Sequence, residues 1–143
     1  MTKKLSVEQK INYYMENLCD KSDQAYHFSL VLTLNQERAK NCLNEAYELL
    51  TDNISTIVRE NKPKLAIYRY CWEAFQTVEE EKKDLDSLQI YFKDLVPEER
   101  ALLFAVDFWG INYPIASKII GINSQDGLLA LAKSRKHLST LNN

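Results

Sequence analysis

Residues that could carry out catalysis or bind a metal are few and widely separated in this chain. His27 and His137, its two histidines, lie far apart in the sequence. No cysteine lies in a nucleophile motif, and no glycine-rich phosphate loop is present. The glutamates at 79–81 could be imagined as a metal site, but a run of solvated charges is far commoner. We therefore expect no enzymatic activity, no metal and no cofactor.

The cysteines predict buried thiols. Cys19, Cys42 and Cys71 are widely spaced, odd in number and lack a Cys-x-x-Cys pair, so neither a disulfide framework nor a zinc site is indicated.

The N-terminus MTKKLSVEQK has no apolar core of signal-peptide length, and no segment approaches the ~20 apolar residues that span a bilayer. We expect a cytoplasmic protein without a membrane span, and no small-molecule substrate is evident.

Two groups of residues have the chemistry for nucleic-acid contact. Lys62, Lys64 and Arg69 could follow a phosphate backbone while the aromatic side chains around them stack on bases. Those aromatic residues are Tyr68, Tyr70, Trp72 and Phe75. The second group is the basic run 133–137. With 20 acidic against 18 basic residues, the chain as a whole does not attract nucleic acid, so any such contact must be local.

The elements that would position these groups are predicted to be helices. The chain has 143 residues, 45% hydrophobic and 27% charged, as in an ordinary folded protein of one domain or two small ones. All three glycines lie at or after Gly110, which favours long helices over strands. Ser6 and Gln9 make a capping-box pattern before a first helix near 7–19, and Ser22 or Asp23 can cap the next helix.

Apolar residues from 36 to 58 recur at three- and four-residue steps, which predicts one helical face in the core or against a partner. Pro63 interrupts this pattern and suits a first helical turn, so a helix is expected from about 64 to 75. The acidic segment 79–87 is the best candidate for a linker. We therefore predict one helical domain at 1–78 and a second at 88–143.

The second predicted domain contains a helix-turn-helix. An apolar helix that begins at Pro97 can end at Gly110. A short helix then follows the cap Asn112, a turn lies at Gly121, and a longer helix follows the cap Asn123. This spacing is typical of a helix-turn-helix.

A series of landmarks runs through this second half. In order, they are a leucine and proline opening, an acid and arginine pair, an apolar helix, a glycine, a tyrosine, a second glycine with isoleucine, and a basic final helix. They correspond to Leu95, Pro97, Glu99, Arg100, Gly110, Tyr113, Gly121, Ile122 and the run 133–138. This order resembles region four of the extracytoplasmic-function sigma factors, which bring bacterial RNA polymerase to promoters.

The first half resembles region two of the same family, in a helix, a short turn, an alanine-led helix and a later helix that melts promoters. The residues that keep this pattern are Ala39, Leu43, Glu45, Tyr47, Ile67, Tyr68 and Arg69. The resemblance therefore implies an all-α protein of two small domains, similar to regions two and four. It also implies RNA polymerase core, an anti-sigma protein or both as partners, with weak promoter contact.

The resemblance also implies three sets of site residues. Polymerase-core or partner contact would fall at Asn41, Asn44, Glu45 and Glu48. The equivalent of the promoter-melting helix would contribute Lys62, Lys64, Tyr68, Arg69 and Trp72. DNA or partner contact on the last helix would fall at Gln125, Leu128, Leu129, Lys133, Arg135 and Lys136.

Several DNA-reading positions of the family are replaced here. The family opens its last helix with threonine, valine, lysine, serine and arginine, whereas the aligned residues here are Asp126, Gly127, Leu128, Leu129 and Ala130. Aspartate repels phosphates, and leucine or alanine cannot donate the hydrogen bonds that read a groove. A glycine inside a helix also costs about 1 kcal/mol relative to alanine.

The first half departs from the family in a similar way. An arginine and an asparagine of the promoter-melting helix fall at Trp72 and Glu73, and Glu73 would oppose an unpaired DNA strand. We therefore favour a core or protein-binding role for the aromatic residues of this helix. In the polymerase-gripping helix Glu45 is kept, and amides at Asn41 and Asn44 replace the other two contacts. These amides can still form hydrogen bonds, or they are simply solvated helix residues.

The sequence leaves three functional hypotheses open. The first is a sigma-like regulator of transcription initiation that acts through protein contacts with weakened DNA reading. The alternative is a functional sigma factor that directs polymerase to a narrow promoter set. The third is a helical adaptor without DNA function. Exposure of an apolar face at Leu128, Leu129 and Ala132 would favour a partner site, whereas packing of that face beneath the domain would favour a plain scaffold.

Overall fold

A computed structural model describes residues 6, 8–9, 22–60, 62–77 and 94–141 of the chain. Within these ranges the protein consists of helices joined by short turns, with no strand, which confirms the all-α prediction. The side chains of Ser6 and Gln9 accept hydrogen bonds from each other's backbone N–H at 3.1 and 2.9 Å, as the predicted capping box requires. The remainder of the helix predicted near 7–19, the linker at 79–87 and Cys19 lie outside the described residues.

Four helices lie in the described range 22–77 of the first half. They are α1 (Ser22–Thr33), α2 (Gln36–Asp52), α3 (Ile54–Glu60) and α4 (Pro63–Thr77). The α1–α2 turn contains Leu34 with a φ of +57°, and the Asn35 side chain then caps α2 by accepting from Arg38 N at 2.9 Å. The apolar stripe predicted over 36–58 is divided between two helices, because α2 ends before Asn53 and α3 begins after it.

Helices α1, α2 and α4 pack against one another around small side chains. Cys42 of α2 and Cys71 of α4 are fully buried, and the Cys42 thiol donates to the Cys71 carbonyl at 3.6 Å. The Ser29 hydroxyl of α1 reaches the Cys71 sulfur at 3.9 Å. Buried thiols are therefore confirmed for these two cysteines.

The second half begins with α5 (Pro97–Leu103), continues in a π-helical turn over Phe104–Phe108, and ends with α6 (Tyr113–Ile119) and α7 (Ser124–Leu141). Gly110 and Gly121 have φ values of +66° and +84°, in the left-handed region that glycine adopts without a steric penalty. The two helices α6 and α7 therefore have the bounds expected from the caps and glycines. Their use as a DNA-binding helix-turn-helix stays a prediction.

The π-helical turn departs from the expected uninterrupted helix. Trp109 N donates to Phe104 O at 3.2 Å, and Ile111 N donates to Ala105 O at 2.9 Å. In an α-helix, positions 104, 105, 108 and 109 would share one face. The wider turn instead buries Phe104, Ala105 and Trp109 while it leaves Phe108 70% exposed.

The two halves share one hydrophobic core. Phe28 of α1 contacts Tyr68, Phe104 and Trp109, with ring centroids 5.3, 5.3 and 5.2 Å from its own. Arg100 donates to the carbonyls of Leu95 at 2.5 Å and Leu32 at 2.8 Å, which joins α5 to the end of α1. The division into domains at 1–78 and 88–143 stays a prediction, but the described parts of both segments pack as one body.

Candidate protein and nucleic-acid interfaces

The predicted polymerase-contact residues form one exposed stripe on α2. All four side chains are exposed, and their three- and four-residue spacing places them opposite the buried Cys42 and Ala46. They are Asn41, Asn44, Glu45 and Glu48. The structure thus brings these four residues together, as two carboxylates and two amides that are open to a partner.

Two residues predicted for the promoter-melting helix are buried in α4. Tyr68 is completely buried, and its hydroxyl donates to the Ala116 carbonyl at 3.2 Å. Burial raises the pKa of the Tyr68 phenol. Trp72 is 4% exposed and packs against Phe75, with ring centroids 5.7 Å apart. Neither ring can stack on a base in this structure, because other helices cover the face of α4 that carries them.

The three cations predicted for the promoter-melting helix do not form a continuous basic track. Lys62, Lys64 and Arg69 are exposed, but the Lys64 ammonium donates to the Trp109 carbonyl at 3.3 Å. Lys62 and Arg69 border a groove of about 710 Å³ between α4 and α6. The other residues lining this groove are Glu60, Leu65, Ala66, Glu73, Ile115, Lys118 and Ile119. Glu60 and Glu73 lie among the three cations of this groove, which reduces its attraction for a polyanion.

The outward face of α7 is apolar at its centre. Leu128 is 48% exposed and Leu129 is 68% exposed, and Ala132 one turn later is also exposed. Gln125 and Lys136, the polar residues at the two ends of this face, are exposed as well. We call this set of five residues the α7 face. It is the part of the chain that the resemblance aligns with the DNA-reading helix.

Two cations of α7 lie close to acids of α5 and of the π-helical turn. Arg135 forms a bidentate pair with Asp107, through Nη2 at 2.5 Å and Nε at 3.2 Å, and this pairing raises the pKa of the Arg135 guanidinium. Lys133 Nζ lies 3.8 Å from Oε2 of the largely buried Glu99. Lys136 makes no ion pair with any described residue. The basic run therefore offers phosphates less free charge than its composition indicates.

Gly127 has a packing role that sequence reasoning missed. A Cβ at this position would lie 1.8 Å from the Ser117 hydroxyl oxygen and 2.9 Å from the Ser117 Cβ. Ser117 is fully buried and donates to the Tyr113 carbonyl at 2.6 Å. Gly127 therefore lets α7 approach α6 closely. The spacing of Gly127, Leu131 and Ser134 on one face is a signal that could have predicted this burial.

Asp107 and Phe108 also have roles that the pattern did not indicate. Both lie in the stretch 101–109, which is apolar apart from Asp107 and contains no glycine or proline to mark the π-helical turn. Asp107 is the acid that holds Arg135, and Phe108 is the most exposed of the large apolar side chains described. Only the tertiary structure shows that these neighbours point to different surfaces.

The chain matches no protein-family model, no curated protein and no solved structure. Across the described ranges, none of the helices has the length and apolar character needed to cross a membrane. Nor do those ranges gather three or more histidine, cysteine or acidic side chains into a potential metal site. The exposed surfaces and the resemblance of the residue pattern are therefore the observations that bear on function.

Proposed function

We propose that this protein is a sigma-like regulator of bacterial transcription initiation with weakened DNA reading. It acts through contacts with RNA polymerase core, an anti-sigma protein or both. The observation that carries this proposal is the α7 face, which presents Leu128 and Leu129 to solvent where the resemblance places a DNA-reading helix. Apolar side chains at that position favour a protein partner over a DNA groove.

The α7 face has the arrangement of a small protein interface. Full burial of a leucine side chain contributes about 1.5–3 kcal/mol, and Leu129 in particular still exposes most of its surface. The polar residues Gln125 and Lys136 lie at its ends, as in an apolar interface core with a polar rim. Because Leu128, Leu129 and Ala132 are exposed, the plain scaffold loses support relative to a partner-binding protein.

The electrostatics of α7 support weakened DNA reading. A phosphate would have to displace Asp107 from Arg135 and would compete with the nearby Glu99 for Lys133. Asp126, at the exposed start of the helix, adds a repulsive charge. Lys136 alone among the three predicted cations needs no such displacement.

The α2 stripe supplies a second surface for the proposed polymerase contact. Its two carboxylates, Glu45 and Glu48, are exposed and lie one turn apart. Such groups pair with basic residues of a partner and mainly influence specificity and association rate. Since α2 and α7 are different helices, substitutions can test the two surfaces separately.

The test of the protein-contact proposal is a pull-down from nuclease-treated native cell extract. The bait is the tagged full chain, and the proteins scored are polymerase core subunits and anti-sigma proteins. We expect the double substitution Leu128→Glu with Leu129→Glu to reduce the retained partner at least tenfold, since a buried leucine contact contributes about 1.5–3 kcal/mol. Recovery of neither class of partner by the unmodified chain would contradict the proposal and favour the adaptor.

The matched control is Ser124→Glu with Ser139→Glu. Both serines are exposed on α7, and the pair adds the same two negative charges without touching the leucines. We expect this control to keep its partner. If both double variants lost the partner equally, the added charge would explain the loss. The α7 face would then no longer support the proposed protein contact.

DNA reading is tested on the same helix by fluorescence anisotropy with a labelled duplex. Asp107→Asn removes the negative charge that neutralises Arg135, so we expect about a twofold to fivefold gain in salt-dependent DNA affinity. Asp52→Asn, an exposed position on α2, makes the same charge change as a control. Base discrimination of about 1–3 kcal/mol by the polymerase complex, lost on Arg135→Ala, would instead identify a functional sigma factor.

A further inference from the structure

We propose that a pocket between α1 and the π-helical turn binds a small planar aromatic molecule with a hydrogen-bond acceptor at its edge. The pocket has a volume of about 380 Å³, within the usual range for small-molecule sites. Its lining residues are Gln24, His27, Leu30, Val31, Phe104, Phe108 and Trp109. This site is separate from the α7 face, and the proposal does not depend on the proposed function.

The walls of the pocket come from two distant parts of the chain. Helix α1 provides Leu30 and Val31 on one side, and the π-helical turn provides aromatic rings on the other. Leu30 and Val31 are 9% and 5% exposed, so their side chains belong to the core and form a firm apolar wall. A ligand here would contact both halves of the protein.

The aromatic wall favours a flat ring. Phe108 stacks on Phe104 with centroids 5.2 Å apart and planes inclined by 24°, and Trp109 meets Phe104 edge-on at 5.1 Å. Phe108 is nevertheless 70% exposed, so a further ring has access to it. Stacked aromatic pairs contribute beyond simple burial of area, which gives a planar ligand an advantage over an aliphatic one.

The π-helical turn creates this arrangement. It keeps Trp109 in the core while Phe108, one residue earlier, points outward over the pocket. An exposed phenylalanine costs free energy in water, and a π-helical turn is a rare element that occurs often at functional sites. Both observations are explained if Phe108 forms one wall of a binding site.

The polar groups of the pocket are suited to donate hydrogen bonds. Gln24 Oε1 already accepts from Trp109 Nε1 at 2.7 Å, which leaves the Gln24 amide NH₂ as a donor. His27, which is exposed on the same side of α1, offers a ring N–H. None of the described lining residues is acidic. A carbonyl, carboxylate or sulfonate oxygen at the edge of the ligand would therefore be bound.

The probe for this site is 8-anilino-1-naphthalenesulfonate, which combines planar rings with acceptor oxygens. We expect the folded full chain to bind it with one-to-one stoichiometry in calorimetric titration. Phe108→Ala and Val31→Phe, which remove the stacking ring and fill the pocket, should each weaken binding at least tenfold. Val96→Ala, which shortens an exposed apolar side chain outside both the pocket and the α7 face, should leave binding within twofold.

Fluorescence energy transfer from tryptophan to the bound probe tests where the probe lies. The chain contains two tryptophans, so Trp72→Phe leaves Trp109 in the pocket as the only donor. We expect quenching of Trp109 that saturates together with the calorimetric signal. Unchanged binding in Phe108→Ala, or equal weakening in Val96→Ala, would overturn the proposal. Because Phe108 is mostly exposed, its alanine variant keeps the test valid even if Val31→Phe or Trp72→Phe fails to fold.

Discussion

At the scale of single residues, Gly127 shows how packing can reverse a helix-propensity prediction. Propensity alone says that alanine would stabilise α7 by about 1 kcal/mol. The contact geometry instead predicts that alanine destabilises the protein, because an added Cβ would lie 1.8 Å from the Ser117 hydroxyl oxygen. Ser117 cannot easily move, since it is fully buried and bonded to the Tyr113 carbonyl. Steric exclusion therefore outweighs propensity at this position.

We expect Gly127→Ala to lower the free energy of unfolding by about 2 kcal/mol, which is typical of overpacking a close helix contact. Urea denaturation followed by circular dichroism measures this change. Ala132→Gly, at an exposed position of the same helix, should cost about 1 kcal/mol through propensity alone. Removing the obstructing side chain with Ser117→Gly should restore part of the loss in the double variant. A Gly127→Ala protein more stable than the original would contradict this account.

At the scale of helices, α2 and α4 pack against each other through the buried thiols of Cys42 and Cys71. Burial raises the pKa of the Cys42 thiol to about 11, and burial also raises that of Cys71. In the unfolded chain Cys42 ionises near its ordinary value of 9.0. Between pH 9 and pH 11 the unfolded state therefore loses a proton that the folded state keeps.

It follows that the free energy of unfolding falls as pH rises from about 9 to 11, with the full contribution of the protonated thiol present below pH 9. Urea denaturation at intervals across this range measures the slope. Cys42→Ala should show a shallower decline, because it lacks the group that titrates differently in the two states. Identical slopes in the two proteins would exclude Cys42 as a source of the alkaline loss.

The helices themselves show where periodicity is informative. Pro63 opens α4, and Gly121 and Asn123 separate α6 from α7, as the residue types indicated. The break at Asn53 was not indicated, because the apolar spacing continues through it. The π-helical turn was likewise hidden, since either turn geometry accommodates the apolar residues from Leu102 to Trp109. Local residue type defines helix ends more clearly than it defines the bonding pattern within a helix.

At the scale of the whole molecule, Arg100 joins the two halves. It is 7% exposed and donates to the carbonyls of Leu95 and Leu32, so its guanidinium ties α5 to the end of α1. Arg100 also belongs to the acid and arginine pair of the sigma resemblance. In this fold its contacts are structural, as a joint within the shared core.

We expect Arg100→Met, which keeps much of the side-chain volume, to lower the free energy of unfolding by about 2–6 kcal/mol. The reason is that two buried carbonyls lose their donors, at about 1–3 kcal/mol each. Arg59→Met, an exposed arginine on α3, should stay within about 0.5 kcal/mol of the original protein. Because the core is shared, unfolding should occur in one transition. An Arg100→Met protein with an unchanged free energy of unfolding would exclude Arg100 as a stabilising contact between the two halves.

The candidate surfaces were predicted in part from the sequence. The α2 stripe and the α7 face were identifiable because surface residues at three- and four-residue spacing share a side of any helix. Tyr68 and Trp72 were included as possible base-stacking residues, and burial excludes that role here. Their burial depends on which helices cover α4, and no local pattern contains that information.

The amino-acid sequence by itself determined the helical class, most helix ends and the buried character of Cys42 and Cys71, because these follow from local propensity, capping and hydrophobic spacing. Only the tertiary structure decided that Arg135 is held by Asp107, that Gly127 fits against Ser117 and that Phe108 borders a pocket. Each of these depends on the approach of residues from different elements. Side-chain contacts of that kind are set by packing in three dimensions. The spacing of residues along the chain does not contain this information.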